Sequence, residues 1–149
     1  MALRVYNNYL YAISGDVNDQ SIVRFPIISP DSLGSVESYF NFSQNVETDV
    51  IANTFTFSSD GMMLLGITPS SQSGDPVDPI MFVNEYGDFG AWYPGLMESS
   101  VSSITWGSGT MMYVIRDRYP SDRTLDAVFT QSILQIDMER LGAPYFGRD

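Results

Sequence analysis

The sequence predicts an all-β protein, built from about three four-stranded antiparallel units of one design. Three observations carry that expectation. Short runs rich in Val, Ile, Tyr, Phe and Thr alternate along the chain with clusters of Gly, Pro, Asn, Asp and Ser, the pattern of strands and turns. Helical periodicity is nearly missing, and only Ile136 to Leu141 could wind into a turn or two of helix. The order strand, turn, strand, loop, strand, turn, strand recurs at a period of about 50 residues.

The units span about 3–47, 48–98 and 99–149 of a single 149-residue domain. In the first, Val5-Tyr6 is strand a, Asn7-Asn8 a two-residue turn, and Leu10 to Ile13 strand b. Ile22 to Phe25 is strand c and Ser38 to Phe42 strand d. In the second, Val50 to Phe57 and Met62 to Thr68 flank the turn Ser58-Ser59-Asp60-Gly61, whose glycine suits a position of positive φ. Ile80 to Asn84 follows as strand c, and Ala91-Trp92-Tyr93 as strand d. In the third, Ile104 to Trp106 and Met111 to Arg116 flank Gly107-Ser108-Gly109-Thr110. Ser132 to Asp137 is strand c, and Pro144-Tyr145-Phe146 the place for strand d. The second strands align with offsets of 54 between Ile13 and Ile67 and 48 between Ile67 and Ile115. Met62-Met63 and Met111-Met112 fall at equivalent strand starts and read as core filling.

The stretch from Thr54 to Ile67 reads as apolar strand, Ser-x-Asp-Gly turn, apolar strand. It resembles the inner hairpin of lactonase-like, NHL-like and TolB-like β-propeller repeats. That resemblance implies propeller-like blades and says nothing of activity, because the motif records a turn requirement. The third unit departs from it, with Gly107-Ser108-Gly109-Thr110 in place of Asp-Gly, and the first shortens the turn to Asn7-Asn8. A β-sandwich or barrel is the alternative architecture for so many short strands. Three blades do not close a ring, since closed propellers typically have about 4–8. Two apolar faces then stay open to water unless other chains cover them. The expectation is a homo-oligomer, for instance a six-bladed ring from two copies, or a subunit of a larger protein assembly.

Composition narrows the chemistry. Eighteen acidic residues against seven basic ones, all Arg, give a net charge of −11, so phosphate-neutralising nucleic-acid binding is not expected. The chain has no Lys, His or Cys, which excludes imidazole acid–base work, thiolate chemistry, Schiff bases and Cys/His zinc sites. No cofactor and no metal are implied, and Gly15-Asp16-Val17-Asn18-Asp19 reads as an Asx-rich turn rather than a calcium loop. No apolar run approaches the roughly 20 residues of a membrane helix, and no signal peptide is visible at the start. Cytoplasm or virion is the expected location.

Candidate contact residues lie in the loops between strands b and c, which lengthen along the chain. Arg116, Arg118, Tyr119 and Arg123 put three arginines and a tyrosine within eight residues of the third loop, an interface-like composition. The other reading of that loop is an insertion whose alternating charges satisfy each other. Trp92 and Tyr93 are the candidates for a ligand platform, although their strand position equally fits packing between blades. With only carboxylates, Tyr, Ser and Arg available, and none singled out by context, catalysis is not expected. The functional expectation is a non-enzymatic structural or interaction module, such as a phage tail or head accessory component of a virion. A dimeric, lectin-like propeller binding a carbohydrate or small ligand is the alternative.

Overall fold

The computed structural model describes residues 2–15, 19–45, 50–69, 78–92, 99–118 and 130–144. These residues form three open antiparallel sheets, one from each repeat, and none closes into a barrel. The first holds β1 (Leu3–Tyr6), β2 (Tyr9–Ser14), β3 (Ser21–Ser29), the short β4 (Ser32–Leu33) and β5 (Glu37–Asn41). A four-residue helix, α1 (Phe42–Asn45), leads out of it. The second holds β6 (Val50–Phe57), β7 (Met63–Pro69), β8 (Ile80–Val83) and β9 (Phe89–Ala91). The third holds β10 (Ser99–Trp106), β11 (Met111–Arg118) and β12 (Thr130–Asp137).

Local chemistry explains the hairpins. Asn7 and Asn8 take φ of 44° and 64°, the left-handed pair that a two-residue turn needs to match strand twist. At the β6–β7 turn, Ser58 is fully buried and its hydroxyl donates to Asp60 Oδ1 and accepts from Met62 N at 3.1 Å. Gly61, at φ 92°, completes the reversal.

The sheets stack in chain order, with the second in the middle. One core lies between the first and second sheets, where Tyr11, Ile13, Ile22 and Phe40 meet Phe55, Phe57, Met63, Leu65 and Ile67. The other lies between the second and third, where Leu64 and Ile80 meet Ile104, Trp106, Met112, Val114 and Ile136. Alternate residues of one strand point to opposite faces, so β7 reads Met63-Leu64-Leu65 without a polar break because both its faces are covered. Gly66 lets the second and third sheets close up, since a Cβ there would stand 2.5 Å from Val101 Cγ1. Two side-chain amides tie the layers. Gln20 donates to Ala52 O at 3.2 Å and accepts from Ala52 N at 2.7 Å, while Asn53 donates to Thr68 Oγ1 at 2.7 Å and Val101 O at 2.9 Å.

Cross-strand rows show how the repeats correspond. Phe57, Met63 and Val83 form one row, and Phe55, Leu65 and Met81 the next, both turned toward the first sheet. Trp106, Met112 and Ile136, then Ile104, Val114 and Leu134, are the same rows in the third sheet, turned toward the second. This corrects the sequence alignment by one residue. Ile67 is buried against the first sheet, whereas Ile115 stands 37 % exposed on the far face of the third, and a one-residue slip flips a strand's faces.

One other expectation is corrected. Ile136 to Leu141 makes no helix: Ile136 continues the alternation of β12 into the core, and Glu139 turns the chain at φ 52°. The fourth strand expected of the third repeat at Pro144-Tyr145-Phe146 falls, but for Pro144, outside the described residues. After β12 the chain crosses to the second sheet, where Gly142 bridges Ser58, Ser59 N donates to Leu141 O at 2.8 Å and Ala143 N donates to Phe57 O at 2.9 Å.

Candidate functional site

A cleft of about 240 Å³ opens at the hairpin-turn end of the stack. The first sheet supplies its aromatic wall. Tyr6 and Tyr9 face each other across the Asn7-Asn8 turn, and Tyr11, Arg24 and Glu37 pair side by side in register. A bulge in β5 between the positions facing Ile22 and Val23 brings Tyr39 into the same wall. Tyr6 stacks on Phe57 at 4.4 Å between ring centroids, and Tyr11 meets Phe57 and Tyr39 edge-on at 4.7 and 5.3 Å. The rings therefore rest on the core and are held in place by it.

Second-sheet turns close the other side. The turn of Asp60 and Gly61 forms one rim, and Asn84, Glu85 and Tyr86, between β8 and β9, form another. Asn84 Oδ1 accepts from Tyr86 N and Asp88 N, both at 2.9 Å, which fixes that turn and leaves Tyr86 82 % exposed. Arg140, from the segment after β12, completes the lining and pairs with Asp60.

Both arginines of the cleft are compensated within the chain. Arg24 Nε donates to Glu37 Oε2 at 2.9 Å, and its guanidinium lies 4.5 Å from the Tyr9 centroid and 5.7 Å from that of Tyr39. Arg140 donates to Asp60 and sits 5.0 Å over the Trp92 ring. The Ser58 hydroxyl, followed by Arg140, holds the Asp60 carboxyl below its ordinary value. Burial pushes the Tyr39 phenol up to about 12 and raises Tyr11 against its hydrogen bond with Arg24. Asp60 is thus ionised and these phenols protonated at neutral pH. The arrangement presents fixed donors, acceptors and aromatic rings.

The described residues among those singled out from sequence do not line the cleft. Arg116 sits on β11 opposite Val101 and Ser132, half-buried, with its Nε lacking a partner among the described residues. Arg118 is the last residue of β11, while Tyr119 and Arg123 fall outside the described residues. Trp92 does not line the cleft; its ring meets Phe82 edge-on at 5.9 Å on one side and Arg140 on the other. Tyr93 is outside the described residues, as are Asp16 to Asn18 of the Asx-rich loop. No group of acidic residues suited to a metal ion occurs among the described residues. Sequence reading missed the cleft itself. Its legible signal was the spacing of Tyr9 and Tyr11 on one strand face, directly across a tight turn from Tyr6.

No protein family, curated protein or solved structure matches the chain.

Proposed function

We propose that this protein is a non-enzymatic assembly module whose stack of sheets is continued by further copies of itself. The supporting observation is the outer face of the first sheet. Its rows Val5, Leu10 and Phe25, then Leu3, Ala12 and Val23, carry no charged side chain and correspond to the rows buried between sheets in the second and third repeats. Among the described residues no sheet covers them: Leu3 and Val5 are 47 % and 48 % exposed, Leu10, Val23 and Phe25 are partly buried, and Ala12 is buried among its neighbours. The far face of the third sheet offers the complementary position. Its central rows, Thr105, Tyr113 and Gln135, then Ser103, Ile115 and Ile133, are also uncharged, with Ile133 72 % exposed. Stacking the third sheet of one copy on the first of another repeats the geometry used twice inside the chain. Two copies related by a two-fold axis would close six propeller-like blades, and longer closed rings follow the same rule.

A module of this kind serves as a building block, and a virion tail or head accessory position is one setting that needs such repetition. Chemistry favours binding over catalysis, since both arginines of the cleft are paired with carboxylates and its Tyr11 and Tyr39 phenols are protonated. The test is the solution mass by light scattering at two concentrations, for the wild type and for Val5→Glu. A closed oligomer is expected for the wild type and a folded monomer for the variant, because an unpaired charge buried in an apolar interface costs several kcal/mol, on the order of 3–5. A wild type that stays monomeric at both concentrations would overturn the proposal.

A further inference from the structure

The tyrosine cleft at the turn end is separate from the stacking faces, and its chemistry selects a ligand class. We propose that it binds a neutral carbohydrate of one or two rings, seated against the exposed Tyr86 ring with its hydroxyls toward the polar lining. Size is the first argument. About 240 Å³ lies below the ~300–1,000 Å³ typical of pockets for drug-sized ligands, so the occupant is small and compact.

Charge is the second. Each arginine of the lining already has its carboxylate, Arg24 with Glu37 and Arg140 with Asp60, so no unbalanced cation waits for a phosphate or carboxylate. Glu85 adds a further negative charge at the rim and disfavours anions again. A cationic ligand fares no better, because Arg24 itself occupies the faces of Tyr9 and Tyr39 that would form an aromatic cage.

The third argument is the mixture of surfaces. Arg24 covers Tyr9 and Tyr39 and Phe57 lies on one face of Tyr6, so the ring left open to a ligand is the exposed Tyr86, and a sugar ring presents C–H groups on its faces and hydroxyls around its rim. The Glu85 carboxylate accepts hydrogen bonds, and the Arg140 guanidinium keeps donors beyond the one given to Asp60. The lining is held by the Asn84-centred turn and by stacking on Phe57, so the site is largely formed before a ligand arrives.

The test is calorimetric titration of the full chain with maltose, cellobiose and N,N′-diacetylchitobiose, with inorganic phosphate and choline as charged probes. At least one disaccharide is expected to bind saturably. Its affinity should weaken by about tenfold or more in Tyr86→Ala and in Glu85→Gln. Both residues are exposed on a surface turn, and an unchanged melting temperature in each variant excludes misfolding as the cause. Three results would overturn the proposal: no saturation by any of the sugars up to ~10 mM, binding of phosphate or choline alone, or sugar binding that survives both substitutions.

Discussion

Gly142 lies against the indole of Trp106 so closely that a Cβ would stand 2.2 Å from Cγ and 2.6 Å from Cδ2. Trp106 is 2 % exposed and belongs to the second core, so the ring has no easy way to retreat. The missing side chain is what allows the chain after β12 to reach Ser58 and bond along β6. Gly142→Ala should therefore lower stability by about 1–3 kcal/mol, the range for overpacking a filled core. Gly87 supplies the comparison. It has φ of 85° but open space where a Cβ would be, so Gly87→Ala meets only backbone strain, roughly 1–2 kcal/mol. The two effects separate structurally in Trp106 fluorescence: Gly142→Ala should perturb the indole and Gly87→Ala leave it unchanged. Equal spectra in urea unfolding series of the two variants would refute the close-packing account.

The elements are held by a few polar ties laid across apolar layers, and one of them should be visible in acid. Asp60, in the β6–β7 turn, takes hydrogen bonds from the Ser58 hydroxyl and Arg140, and so joins the second sheet to the segment that leaves the third. Its folded pKa is depressed, so its contribution is present above the ordinary value of 3.8 and is lost as pH falls through the lower folded value. Asp60→Asn should reduce the melting temperature modestly at pH 7, in line with a half-exposed pair worth under about 1 kcal/mol. The gap to wild type should close below pH 3.8, and a gap independent of pH would exclude carboxylate linkage. The turn that presents Asp60 was legible in the sequence because Ser, Asp and Gly specify it, and β6, β7, β11 and β12 emerged for the same reason, bounded by turn residues. Registers and faces were not legible in this way. The bulges at Asn53, Ser102 and Tyr39 each insert a residue with no local signature. Pairing Ile67 with Ile115 falls one residue out of step because β7 and β11 carry apolar side chains on both faces, so residue type does not mark the face. The cleft depends on such a bulge and on rings from distant turns, so its parts could be read while their convergence could not.

At the scale of the whole molecule, charge and apolar surface pull in opposite directions, and their balance can be measured. Each copy carries a net charge of −11, so two approaching copies repel through the summed field of their surfaces. The faces proposed to meet hold no charged side chain in their central rows, so contact forms no ion pairs to offset that repulsion and rests on apolar burial. Salt then acts with one sign. Raising ionic strength from about 0.01 M to about 1 M shortens the screening length from ~30 Å to ~3 Å, which removes repulsion between copies while leaving apolar burial intact. Association should tighten with sodium chloride, and sedimentation at fixed protein concentration should show the oligomer fraction rising across that range. An interface built on the arginines of the third loop would respond in the opposite way, because salt weakens ion pairs between partners. A falling oligomer fraction would therefore reject sheet-on-sheet stacking and move the contact to Arg116, Arg118 and Arg123.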